Sequence, residues 1–412
     1  MKKVIMLSVA AIIAVAAFAT TSSAAGFRLP DQDSAAMGMA GAFVGQADNP
    51  SAVWYNPAGI TALDGTRTSA GVIAIYPVME HDNTSGTTDV SERKVHLPAE
   101  LFATSKLSDR AYFGLGITSP FGLSTEWADT SATKYEATLS RVKTININPT
   151  IAFKLSDDLS FGAGIDYMIL QATMNKILPV GNALFRLNGD GTGVGANAGV
   201  KYKAGEKVDL GLSYRSRMKV KVDGKAEVSA LGLSNSAETE ITLPDMIEFG
   251  ASYKASERLT LNGDLDYTWW STYDRLVVKS NTILSLTTLA GSPTDTSTDE
   301  KDWKNTWALR LGGQYKLSEQ WKLRAGYVYD QNPVPTEHFD TRVPDADRQG
   351  VTLGAGFTSG NVTVDVAYMY LKFKNRTIDH TLADDTSATP NALNGTYKAT
   401  AQLAGVTIAY KF

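Results

Sequence analysis

The stretch VTVDVAYMY, residues 362–370, alternates strictly: Val362, Val364, Val366, Tyr368 and Tyr370 fall on one face of an extended chain, and Thr363, Asp365, Ala367 and Met369 on the other. Successive side chains of a strand point to opposite faces, so this period of two reads as a strand with one apolar and one mixed face. The run from Trp321 repeats it, with Leu323, Ala325, Tyr327 and Tyr329 set against Lys322, Arg324 and Asp330. Fourteen such runs follow one another, near 67–76, 95–105, 111–121, 142–154, 159–176, 193–203, 208–228, 241–255, 259–279, 302–317, 321–332, 349–358, 362–377 and 397–412. Strands of soluble proteins run about five or six residues, whereas many of these exceed the roughly 9–11 that cross a bilayer with tilt.

The connections alternate between short and long. Tight turns fall at 108–110, 156–158, 204–206, 256–258, 318–320 and 359–361, with long polar loops between them. Outer-membrane barrels have this asymmetry, short turns on the periplasmic side and long loops outside, so both ends of the barrel are expected on the periplasmic side. Asp166, Lys201, Arg215, Arg217, Glu248, Asp264, Asp266 and Arg310 alternate onto the inner faces. A lipid-facing Lys or Arg near the midplane costs about 2–4 kcal/mol, which assigns these charges to the lumen as ion-pair networks. Tyr202, Tyr253, Tyr315, Trp321 and Tyr410 near the short turns, and Tyr267, Trp269, Trp270, Tyr329 and Tyr370 toward the long loops, read as two interfacial aromatic girdles.

Residues 1–24 read as a secretory signal: Lys2 and Lys3, an apolar run over 4–18, then the small residues Ser22, Ser23 and Ala24. No later run is long and apolar enough for a membrane helix. The one long part that does not read as strand and turn is 25–66, rich in small residues. Its apolar side chains, Phe27, Met37, Met39, Phe43, Val53, Trp54, Tyr55 and Ile60 among them, need a dry place, and a plug inside the barrel of 67–412 provides one. The chain has no cysteine, so packing and hydrogen bonding must hold it. Its net charge of −4 comes without a basic run, which argues against nucleic acid as a partner. The expected fold class is therefore all-β, a fourteen-stranded antiparallel transmembrane barrel with an N-terminal hatch.

Several stretches together resemble the FadL-type (OMPP1/FadL/TodX) family of outer-membrane transporters for long-chain fatty acids and other hydrophobic compounds. They are AGF at 25–27, NPA at 56–58, ITSPFGLSTEW at 117–127, YRS at 214–216, LPDMIEFG at 243–250, and NPVP with VPDADR between Asn332 and Arg348; the chain also ends on an aromatic, Phe412, as barrel assembly signals do. The resemblance implies capture at the outer loops, a pocket above the hatch, and sideways exit at a kinked third strand. Phe27 would lie at the pocket, and Asn56, Pro57 and Ala58 would be the hatch motif. The third run, FGLGITSPFG at 113–122, offers Gly114, Gly116, Ser119, Pro120, Phe121 and Gly122 as the gate, since proline and glycine weaken a β ladder. Lys176 and Lys304 align with the family's pocket cations and favour a carboxylate ligand, although lysine lacks the fork of arginine. The expected partners are a long-chain fatty acid or other hydrophobic small molecule, and outer-membrane lipid with lipopolysaccharide; a monomer is expected. A hydrocarbon channel is the alternative, and a general porin or a structural surface protein less so.

Catalytic chemistry has little to build on. His81, His96, His338 and His380 stand in no motif with a nucleophile, and G-x-S-x-G and H-E-x-x-H are absent. The glycines of GDGTGVGANAG, 189–199, open a strand rather than a helix, so a dinucleotide loop is not indicated. The acidic loops at 295–302 and at Asp384 and Asp385 read as solvated loops rather than calcium sites, and no cofactor or metal is expected.

Overall fold

Apolar outward residues with period two satisfy their backbone in lipid only if the sheet closes, because hydrocarbon offers an edge N–H or C=O no partner. The computed structural model describes residues 26–379 and 392–412, and in it the sheet closes. The leader expected over 1–24, His380, and the acidic pair Asp384 and Asp385 lie outside the described residues.

Fourteen antiparallel strands follow one another around the wall: β1 (Thr66–Asn83), β2 (Ala99–Lys106), β3 (Ala111–Thr118, resuming at Gly122–Glu126), β4 (Leu139–Lys154), β5 (Leu159–Ile177), β6 (Leu184–Lys203), β7 (Val208–Arg215, resuming at Met218–Val228), β8 (Leu233–Leu243, resuming at Met246–Lys254), β9 (Leu259–Thr268, resuming at Arg275–Ser280), β10 (Thr296–Glu300, resuming at Thr306–Lys316), β11 (Trp321–Asp330), β12 (Arg348–Ser359), β13 (Val362–Phe373) and β14 (Gly395–Lys411). Strand β1 closes the barrel, pairing with β2 on one side and with β14 on the other from Arg67↔Lys411 to Asn83↔Gly395.

The run 208–228 is not one strand. It breaks at Ser216 and Arg217, and the inward phase slips by one: Ser213 and Arg215 are buried before the break, Met218, Val220 and Val222 after it. Arg217 therefore turns outward instead of into the lumen, its Nε 2.6 Å from Asp245 Oδ2. The other seven expected lumen charges point inward. Arg215 is paired with Asp166 and stacks 4.1 Å from the Trp54 ring, and Asp266 takes the Arg310 guanidinium at 2.9 Å. Trp270 likewise leaves the expected girdle, because a 3₁₀ turn over Trp270–Thr272 interrupts β9 and buries its ring.

Residues 26–65 lie against the inner wall. They carry two short helices, α1 (Ser34–Met37, capped by the Asp33 carboxylate) and α2 (Ala52–Tyr55), and a 3₁₀ turn, Pro57–Ala62. Nearly every residue from Phe27 to Leu63 is buried. Glycines let the wall approach this segment's backbone: a Cβ at Gly162 would sit 2.5 Å from Pro57 C, and one at Gly312 2.6 Å from Met39 O. Asp264 Oδ2 on β9 accepts the Phe43 and Val44 amides at 2.7 and 2.8 Å.

Leu353, at the middle of β12, is 67% exposed on the outer face. Leu353→Arg is expected to destabilise the barrel by about 2–4 kcal/mol, measured by urea-induced unfolding from lipid vesicles. An arginine tolerated there without loss would contradict the lipid-facing assignment.

Candidate functional site

The site begins where the N-terminal segment meets the interrupted third strand. Strand β3 pairs with β2 as far as Leu101↔Ile117; after the break, Gly122–Glu126 pairs only with β4. Backbone groups buried at such a break need other partners, and the N-terminal segment supplies them. Leu29 N–H donates to Pro120 O at 2.8 Å, and Gly122 N–H donates to Phe27 O at 2.9 Å. The Gln32 carboxamide closes the rest, its Nε2 donating to Ser119 O at 3.1 Å and its Oε1 accepting from Ser119 N–H at 3.0 Å. Phe121 exchanges both backbone bonds with the Thr144 hydroxyl on β4.

Gly114 and Gly116, expected within the gate, are instead in the regular ladder of β3, paired on both sides. They lie against the hatch, where a Cβ would come 2.6 and 3.1 Å from Val53 methyls. The interruption itself is Ser119, Pro120 and Phe121, ending at Gly122.

Phe27 is buried in an aromatic box, with ring centroids 4.9 Å from Trp270, 5.7 Å from Trp303, 5.9 Å from Phe121 and 6.0 Å from Tyr273. Gly26 is required beside it: its φ is +62°, and a Cβ would sit 2.8 Å from the Trp303 ring. Its N–H donates to Asp345 Oδ2 at 2.8 Å. The hatch motif is fixed from both sides. Asn56 Oδ1 accepts from Ala58 N–H at 3.2 Å, and its Nδ2 donates to Val44 O and to Val200 O on β6.

Beside Phe27 the lumen holds a cavity walled by Leu170, Met174, Leu187, Val222, Ile241 and Leu276 among others. Small-molecule sites have a mostly apolar lining with a few placed polar groups. Here the polar end comes from the outer rim, from Asp299 near the end of a β10 segment and from Lys301, Asp340 and Arg342 in loops. Lys301 is paired with Asp340 and lies 2.9 Å from Asp299; Arg342 reaches Asp299 at 3.0 Å and Asp340 at 3.4 Å. Burial pushes the Asp340 carboxyl up, but Lys301 and Arg342 outweigh it and hold the group below the usual carboxylate range. Burial likewise opposes the charge on Lys301, and Asp340 with Asp299 more than restores it.

The two aligned lysines fall differently from expectation. Lys176 is half-buried near this cluster, within electrostatic reach of Arg342, Glu136 and Asp299. Lys304 does not line the cavity: it is exposed, its amide donating to Pro333 O at 2.8 Å. The buried cation is Lys301, three residues earlier. Asp302, at φ +44°, turns the backbone between the two, which no period-two reading foresees. Among the described residues, no group of three or more His, Cys, Asp or Glu is placed to hold a metal.

Comparison with known proteins places this geometry. The model of the family described as outer membrane protein transport protein (OMPP1/FadL/TodX) matches residues 15–412. The long-chain fatty acid transport protein of Escherichia coli O6:H1 is 26% identical over 408 residues, covering 87% of this chain and 89% of that protein. Outer membrane protein P1 of Haemophilus influenzae is 27% identical over 460 residues, covering 95% and 96%. Among solved structures, a Pseudomonas aeruginosa FadL homologue has a TM-score of 0.82 at 22% identity, covering 94% of this chain and 100% of that one. The Ralstonia pickettii toluene transporter TbuX has 0.71 at 15%, covering 92% and 98%.

The Gln32 carboxamide contributes both hydrogen bonds that Ser119 makes at the break. Gln32→Leu removes them, each worth about 0.5–1.5 kcal/mol, so hydrogen–deuterium exchange at the Ser119 amide should accelerate roughly two- to tenfold. Unchanged exchange would mean that other contacts hold this stretch.

Proposed function

This chain belongs to the OMPP1/FadL/TodX family of outer membrane transport proteins, and from that premise we propose that it takes up long-chain aliphatic compounds, fatty acids first among them, through the cavity beside Phe27 and out sideways at the break in β3. The protein is a bacterial outer-membrane β-barrel of a family that transports hydrophobic compounds, and the family's members are channels rather than enzymes.

The observation that carries the route is the N-terminal segment, which seals the cavity with Phe27 and, two residues on, bonds the strand break with Leu29. A ligand that displaced Phe27 from its box would loosen the segment that closes the break. Sideways exit also suits the cargo, since passage through an aqueous pore would expose each methylene at roughly 0.8 kcal/mol. Fatty acids are favoured by the names of the curated relatives and by Lys176, half-buried near the polar end. The hydrocarbon reading has its own support, because the cations Lys301 and Arg342 are already matched by carboxylates.

Mass spectrometry of lipids extracted from the detergent-purified protein tests the proposal. Wild type is expected to carry long-chain fatty acids, Lys176→Ala to carry several-fold less, and Lys304→Ala to match wild type. Recovery of detergent or neutral hydrocarbon alone would overturn the fatty-acid assignment and favour the hydrocarbon reading.

A further inference from the structure

The charged end of the cavity is internally balanced. Lys301 and Arg342 each contact both Asp299 and Asp340, so two cations and two carboxylates form a closed ring. Asp340 is the carboxylate of that ring that lines the cavity. It is also held in place from behind: its Oδ1 accepts the Arg342 amide at 2.6 Å and the Val343 amide at 3.4 Å, while Oδ2 faces the two cations. The loop that carries it is pinned in turn, the Trp127 indole donating to Thr341 O at 3.0 Å.

An ionised head group has no free cation to meet in this ring. On Lys301 or Arg342 it gains a partner only by displacing a carboxylate that then stays buried without one, which is unfavourable. A hydroxyl brings no charge, and it can donate to a carboxylate oxygen or accept from an ammonium without breaking the ring.

We propose that Asp340 is a specificity-determining residue: its carboxylate takes the place on Lys301 and Arg342 that an ionised head group would need, so the cavity favours uncharged long-chain amphiphiles, alcohols being the simplest, over the ionised acids of equal length. The assignment rests on the reading of this cavity as the ligand site. It allows fatty acids as cargo but makes them the weaker ligands, admitted against an internal competitor.

The test uses the full chain in detergent at pH 8 and measures the affinities of decanol and decanoate from tryptophan fluorescence, since Trp303 lines the cavity. Wild type should bind decanol more tightly than decanoate. Asp340→Asn keeps an oxygen for the two amides and frees the cations, and should raise the decanoate-to-decanol affinity ratio at least tenfold. A ratio unchanged within twofold, with both ligands still binding, overturns the role of Asp340 and leaves the cavity reading intact. If neither ligand binds wild type, the cavity reading falls and the role of Asp340 with it. Heat-modifiable migration on gels reports folding; should Asp340→Asn fail it, Asp299→Asn opens the same ring and must also raise the ratio, and no rise there overturns the proposal.

Discussion

Backbone pairing is the constraint on which the rest of this molecule depends. In hydrocarbon each unpaired N–H or C=O is costly, so a barrel wall tolerates a break only where protein satisfies the freed groups. At Ser119–Gly122 that protein is the chain's own N-terminal segment, with two backbone bonds from Phe27 and Leu29 and two from the Gln32 side chain. The break and the segment therefore form one element: neither is satisfied without the other.

The same segment has to be held against the wall by contacts strong enough to survive in a largely filled lumen. Charge and close approach share that task. Arg28 pairs with Glu248 and Asp266 across the barrel, Asp264 binds the Phe43 and Val44 amides, and Arg215 covers Trp54 while paired to Asp166. These buried pairs contribute less net stability than their number suggests, since desolvation offsets much of the attraction. Their more secure effect is register, because each fixes one hatch residue to one strand position.

Much of this was legible in sequence. Fourteen strands, the short-turn side, and seven of the eight inward charges follow from period-two alternation and turn chemistry alone. What escaped were the places where the period fails. A two-residue break at Ser216 and Arg217 slips the phase and sends Arg217 outward. A 3₁₀ turn takes Trp270 from the expected girdle to the Phe27 box. At the rim, where the backbone leaves the ladder at Asp302, Lys301 is buried and Lys304 is not. Alternation predicts facing only inside a ladder, and Lys301, Asp340 and Arg342 at the polar end of the cavity have left it.

That location has a physical consequence for the cavity. Wall strands can offer a ligand apolar side chains in fixed register, but a charge on a strand within the bilayer must be neutralised by another strand or by the hatch, as Arg28 does for Glu248. At the outer rim Lys301, Asp340 and Arg342 come from loops and join Asp299, near the end of the first segment of β10. A chain-shaped molecule in this cavity would meet charged groups from the rim and apolar side chains along the wall, Phe27 among them. On the proposed function, length and head-group chemistry would be read by different parts of the protein, so loop substitutions would alter head-group preference while the barrel wall stays unchanged.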